Sequence, residues 1–147
     1  MFSIAVCDDD GLDLSLILQC VESWIKQHKE IDWKITQFLQ ADELIDTINK
    51  GKRFDLYLLD IMMPETNGIE LGRAIRKKYY ETPIIYITSY PEFALDAYGI
   101  HALRYITKPI NSKELWSALD FAYIFFSNRP ISTILIKGID SITSVVI

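Results

Sequence analysis

Residues 57–68 read YLLDIMMPETNG. Their first five residues complete a predominantly apolar run, FDLYLLDI from Phe54 to Ile61, that is short and bounded by turn formers. Such a run reads as a strand buried on both faces, the kind that parallel sheets contain. It stops on one carboxylate, Asp60, and the chain then breaks through Pro64 towards Gly68. A charge delivered to the end of a buried strand is costly unless something meets it, so Asp60 marks where this fold would place its chemistry.

Working outward from that strand, apolar segments of strand and helix period alternate. Before it come FSIAVC (2–7), a helix carrying Leu14, Ile17, Leu18, Val21 and Ile25 at helical spacing, the alternating strand WKITQF (33–38), and the helix ADELIDTINKG (41–51), closed by Gly51. After it come NGIELGRAIRKKYY (67–80), in which Asn67 caps a helix and Glu70 completes a capping box, then the strand PIIYITS (83–89) and a helix opening at Pro91. A short strand ALRYIT (102–107) and the helix NSKELWSALDFAYIFF (111–126), with the cap pair Asn111 and Glu114, follow. Five strand-and-helix units predict an α/β fold, a parallel sheet with helices on both faces, and its expected form is the flavodoxin-like, doubly wound, five-stranded one, whose strand order is 2-1-3-4-5. They occupy residues 1–126. From Ser127 the sequence changes to SNRPISTILIKGIDSITSVVI, which reads as a linker and a β-rich tail, the beginning of a second domain over residues 127–147.

Composition is compatible with this. Of the 147 residues 50% are hydrophobic and 24% charged, enough for one domain to fold on its own core. The net charge of −5 argues against a nucleic-acid surface on this segment and is compatible with cation binding. Two cysteines, Cys7 and Cys20, read as small buried hydrophobes of a reducing compartment. No apolar stretch reaches the roughly 18 residues of a membrane span, and no basic lead precedes the first apolar run, so a cytoplasmic protein without membrane contact is expected.

In an open parallel sheet, ligands bind beyond the carboxyl ends of the strands, where the strand order reverses. Asp60 ends the third strand there, and Asp8 and Asp9 end the first, its neighbour at about 5 Å in the order 2-1-3-4-5. Like charges about 4 Å apart repel by roughly 4 kcal/mol at an effective dielectric near 20, so the cluster calls for a cation. All-oxygen ligands suit a hard divalent ion, and Mg²⁺, which takes few carboxylates and keeps open positions for phosphate oxygens, suits best. Thr88 ends the fourth strand with a hydroxyl, and Lys108 follows the fifth with an ammonium on a long stem. A nucleophile, a metal and opposing positive charge are what phosphoryl transfer needs. Asp60 is the expected nucleophile.

An acidic pair after the first strand, Asp60 after the third with Pro64 and Gly68 following, Thr88, and Lys108-Pro109 together resemble the receiver domain of two-component response regulators, over about residues 1–125. The stretch FALDAYGIHALRYITKPI and the β-rich tail are most similar to LytTR-type regulators, whose receiver precedes a DNA-binding domain. The resemblance implies that Asp60 accepts a phosphoryl group from a sensor histidine kinase. It also implies that Asp9, Asp60 and the backbone carbonyl of Met62 ligate Mg²⁺ while Asp8 assists through water. Thr88 and Lys108 would hold phosphoryl oxygens, Tyr105 would be an aromatic switch coupled to Thr88, and Lys108-Pro109 would be cis. A homodimer on activation is expected, with DNA bound only through the further domain. Tyr98, Arg104, Trp116 and Tyr123 are the expected output residues. Met62 and Tyr90, two positions beyond Asp60 and Thr88, are poor positioners of water, which predicts slow loss of phosphate.

One competing class is a phosphatase. DDDG (8–11) also resembles the first motif of the haloacid dehalogenase phosphatases, in which Asp8 would attack and Asp10 would act as acid. That class has further acids after its Lys, and no acidic strand end follows Lys108. Asp10, with Asp13 three residues on, otherwise reads as a helix cap. His28 and His101 lack metal-pair spacing, and Trp24, Trp33 and Trp116 suit packing.

Overall fold

The computed structural model describes the backbone of residues 1–138 and the side chains of residues 1–128. Its strands are β1 (Phe2–Cys7), β2 (Trp33–Phe38), β3 (Leu56–Leu59), β4 (Ile84–Thr88) and β5 (Arg104–Thr107). All neighbours are parallel, as the alternation predicts, and the order is β2-β1-β3-β4-β5, that of the expected flavodoxin-like form. The helices are α1 (Gly11–Lys26), α2 (Ala41–Asn49), α3 (Gly68–Lys78), α4 (Ala94–Gly99), which follows a 3-10 turn at Pro91–Phe93, and α5 (Ser112–Gly138).

Successive side chains of a strand point to opposite faces, and here both faces are covered. Ala5, Cys7, Tyr57, Leu59, Ile84 and Tyr86 join one core with Leu44 and Ile48 of α2, Leu71 and Ile75 of α3 and Ala97 of α4. Ile4, Val6, Leu56, Leu58, Ile85 and Ile87 join the other with Leu14, Ile17 and Val21 of α1 and Leu115, Ala118 and Leu119 of α5. This two-sided burial is why the inner strands are continuous apolar runs. It also gives the strand-end acids a side: by parity Asp8 extends the Ile4 and Val6 row, and Asp60 the Leu56 and Leu58 row, both on the face that α1 and α5 cover.

The expected caps form. Asp10 Oδ1 accepts from the backbone amides of Leu12 and Asp13 at the start of α1. Asn67 and Glu70 make a reciprocal capping box on α3, and Asn111 Oδ1 accepts from Lys113 and Glu114. Gly68 is required by close approach: a Cβ there would lie 1.9 Å from the backbone oxygen of Asp60. The Gly68 amide donates instead to the Ile61 carbonyl at 2.7 Å, which seats the first turn of α3 directly on the end of β3.

Two expectations change. The fifth strand begins at Arg104, not Ala102. The last helix does not stop at Ser127 but continues to Gly138, where a linker and a strand were expected. The helix therefore includes Asn128 and Pro130, which belong to the stretch that reads as a linker. The remainder of the β-rich tail, residues 139–147, lies outside the described residues. No helix among the described residues is long and apolar enough to cross a membrane.

Candidate functional site

Register brings the acids together. Cys7 pairs with Leu59 across β1 and β3, so the next residues, Asp8 and Asp60, leave adjacent strand ends side by side. The Asp60 amide donates to the Cys7 carbonyl at 3.0 Å, and the Asp8 amide to the Phe38 carbonyl at 3.1 Å, which continue the ladder by one step. Carboxylate oxygens of Asp8, Asp9 and Asp60 lie within 4.8 Å of one another; Asp8 and Asp60 are buried and Asp9 is exposed. At the other end of the site Thr88 pairs with Thr107, and the Lys108 amide donates to the Thr88 carbonyl at 2.8 Å. Lys108-Pro109 is cis. The Lys108 side chain crosses back over the sheet to place Nζ 2.9 Å from Asp8 Oδ2 and 3.2 Å from Asp60 Oδ2.

A third carboxylate also reaches that ammonium, and sequence reading misassigned it. Asp13 is not merely a capping residue: its Oδ2 is 2.8 Å from Lys108 Nζ, the shortest of the three contacts. Asp13 stands in the first turn of α1, three residues after the cap, and only the docking of α1 over β1 and β3 shows that it faces the site.

Burial and charge together set the protonation of the pocket. Burial pushes the Asp8 carboxyl up to about 6, against the lowering pull of the Asp10 amide and of Lys108, because one ammonium divided among three carboxylates does not offset full desolvation. For Lys108, burial by itself lowers the pKa, but the bonds to Asp13 and Asp8 and the charge of Asp60 outweigh it and the ammonium is held above its ordinary range. Cys7 precedes Asp8 on β1, and its side chain joins the core on the other face of the sheet. Burial, with the neighbouring acids, pushes its thiol up to about 12.

Asp8 yields a pH signature. With divalent cations chelated, its folded value of about 6 exceeds the ordinary 3.8, so this group stabilises the fold at low pH and that contribution is lost as pH rises through 6. In chelator, Asp8→Asn is therefore expected to gain stability relative to the wild type between about pH 4 and pH 8, by up to about 3 kcal/mol. Urea melts across that range provide the measurement, and a flat difference would contradict the burial argument.

The other expected residues take these places. Thr88 is fully buried, and its Oγ1 accepts from the Tyr90 amide at 3.3 Å. Tyr105 is half-buried and its hydroxyl donates to the Tyr90 carbonyl, so the two positions beyond β4 and within β5 are joined. Met62 and Tyr90 are exposed beside the strand ends. Asp10 is committed to the α1 cap, which leaves the phosphatase scheme without its second acid. Of the expected output residues, Tyr98 is exposed and Arg104 lies over the ring of exposed Phe121, 4.4 Å to the centroid. Trp116 and Tyr123 instead face inward: the Trp116 indole donates to the Cys20 carbonyl, and Tyr123 packs with Phe2, Trp24 and Trp33. Among the described side chains of α5, the exposed large apolar ones are Phe121, Ile124 and Phe125. Trp24 and Trp33 serve packing, as expected.

The open parallel sheet gathers three carboxylates and an ammonium beyond its strand ends, a donor set that suits acceptance of a phosphoryl group. The model of the response regulator receiver domain family matches residues 4–120, and the chain belongs to that family. It is similar to the positive alginate biosynthesis regulatory protein of Pseudomonas aeruginosa, 26% identical over 117 residues that cover 80% of this chain and 45% of the relative. It is also similar to the transcriptional regulatory protein LytR of Staphylococcus aureus, 34% identical over 68 residues that cover 46% of this chain and 28% of the relative. The chain thus spans about half or less of the length of the curated relatives it matches. Among solved structures, the BeF3-activated receiver domain of DrrB superposes with a TM-score of 0.66 at 30% identity, covering 84% of this chain and 97% of that one. The protein is a receiver domain that accepts a phosphoryl group at its aspartate cluster, and that cluster has the donor chemistry of a Mg²⁺ site.

Proposed function

We propose that Asp60 is the phosphoacceptor and that a sensor histidine kinase is the donor. The observation that supports Asp60 is its position: it ends the central strand, accepts from its neighbour's amide through Oδ1 at 2.7 Å, and holds Oδ2 against the Lys108 ammonium. An Asp60 carboxylate oxygen attacks the phosphorus of a phosphohistidine; the phosphorus–nitrogen bond breaks, and its electron pair leaves with the imidazole nitrogen. Asp9, Asp60 and the Met62 carbonyl would hold Mg²⁺ directly, and Asp8 would hold it through water. Bound there, the ion supplies positive charge to the transferring oxygens. Lys108 then exchanges its Asp60 contact for a phosphoryl oxygen, and the Thr88 hydroxyl turns from the Tyr90 amide towards another. Because the Tyr105 hydroxyl is bonded to the Tyr90 carbonyl, movement at Thr88 and Tyr90 would reach Tyr105 and the surface formed by α4, β5 and α5.

On that surface Leu95, Tyr98, Phe121, Ile124 and Phe125 are exposed, which supports a homodimer on activation. Residues 127–147 would lead into a LytTR-type DNA-binding domain, and transcription would be the output of the whole protein. The greater length of the regulators that the chain resembles supports this. Such a protein would work in the cytoplasm. The test is to incubate the chain with acetyl phosphate and Mg²⁺ and measure mass and size together. One added phosphoryl group with dimerisation is expected; sustained turnover of a phosphomonoester would favour a phosphatase instead.

The exposed Met62 and Tyr90 would shield the acyl phosphate without positioning an attacking water. Met62→Asn, which adds a polar group there, is expected to shorten the lifetime of the phosphorylated protein by about threefold or more. The loss of label over time measures it, and an unchanged lifetime would count against shielding.

A further inference from the structure

Phosphoryl acceptance as described leaves the Asp13 contact without a task. Lys108 Nζ carries three protons, and three carboxylates take them: Asp13 at 2.8 Å, Asp8 at 2.9 Å and Asp60 at 3.2 Å. The shortest of these contacts goes to a residue outside the group whose oxygens could hold a metal ion. Asp13 sits on the first turn of a helix that is itself packed on the sheet, so its carboxylate is carried by a rigid element. Its side chain is 31% exposed while that of Lys108 is 10% exposed, so the ammonium is inside the pocket and Asp13 stands at its rim.

We propose, building on the receiver function above, that Asp13 is a positioning residue for Lys108: it holds the ammonium on the α1 side of the pocket, which lowers the site's affinity for the phosphoryl group and raises its affinity for Mg²⁺. A phosphoryl group on Asp60 adds roughly one negative charge and competes for the ammonium that Asp13 holds. A metal ion offsets the charge of Asp8, Asp9 and Asp60, but Asp13 is not among its ligands, so metal binding leaves this competition in place. Towards the cation the effect has the opposite sign. Asp13 adds negative potential at the site and draws Lys108, the cation's competitor, away from Asp8 and Asp60.

The test uses the whole chain, with Asp13→Asn to remove the charge at constant size and Asp13→Glu to retain it. Beryllofluoride at saturating Mg²⁺ stands in for the phosphoryl group, and Mg²⁺ alone is titrated separately by calorimetry. Asp13→Asn is expected to bind beryllofluoride about fivefold more tightly and Mg²⁺ about fivefold more weakly, the size expected of a partly exposed charge pair. Asp13→Glu should stay near the wild type, and the beryllofluoride gain should be absent when Asp13→Asn is combined with Lys108→Met. A general loosening of the fold would weaken both ligands, so opposite shifts separate positioning from a structural role. Affinities that stay unchanged, or that move in the same direction, would overturn the proposal. Acetyl phosphate labelling distinguishes the failures: a wild type that gains no phosphoryl mass overturns phosphoryl acceptance and this proposal with it, whereas a labelled wild type beside an unmoved Asp13→Asn overturns this proposal alone.

Discussion

Asp60→Asn is expected to fold as the wild type and to gain no phosphoryl mass from acetyl phosphate and Mg²⁺, a loss of at least about a hundredfold in labelling rate. An amide keeps the size of the side chain and an oxygen that can accept from the Ile61 amide, so the local geometry of the β3 end survives. What it removes is the anionic nucleophile. It also removes one of the three charges that share Lys108, so the variant should be at least as stable as the wild type in chelator. Intact mass measured over time, with a thermal melt of the same sample, checks both halves. Labelling at the wild-type rate would show that another group accepts the phosphoryl, and Asp8 and Asp9 would be the next acids to replace.

Lys108→Met should produce the largest stability effect in the site. The variant keeps the apolar stem and removes the ammonium, leaving Asp8, Asp13 and Asp60 without their common counter-charge. Asp8 has no solvent-exposed surface, and breaking a buried pair by removing one partner costs about 3–5 kcal/mol. At neutral pH in chelator, a loss of about 3 kcal/mol is expected, on the order of a 10 °C fall in Tm. Mg²⁺ binds only the folded cluster and would have lost its competitor, so it should bind more tightly to the variant and restore much of the stability. Lower pH should also restore part of it, since protonation of Asp8 removes the charge that lacks a partner. A destabilisation of the same size with and without Mg²⁺ would show that the stem and its packing, not the charge, carry the effect.

The two variants also show why much of this site was legible before any coordinates. Asp8, Asp9, Asp60 and Lys108 follow the last residues of strands and Thr88 closes one, and in a parallel sheet every such end points the same way. Apolar runs locate the strand ends, and in the flavodoxin-like order the first and third strands lie side by side, so linear position translates into proximity once that order is taken. The same logic does not reach the helices. Asp13 looks like a partner in a helix cap until α1 is docked, because a rotation of α1 by one residue would aim another side chain at Lys108. Trp116 and Tyr123 look like output aromatics for the same reason: their inward direction depends on how α5 rolls against α1 and β1.

The order of hydrophobic runs, turn residues and caps along the chain determined the parallel α/β class and put an acid, a hydroxyl or an ammonium at four strand ends; with the flavodoxin-like order that the motifs resemble, three acids gather at one edge. The class and the strand ends depend on local periodicity and on handedness, which are the same in every protein. Tertiary structure alone decided which carboxylate holds Lys108 most closely, which aromatics of α5 meet solvent, and that Asp8 is desolvated enough to titrate near 6. Those depend on helix rotation and on the number of groups sharing one charge, quantities that arise only when distant segments pack.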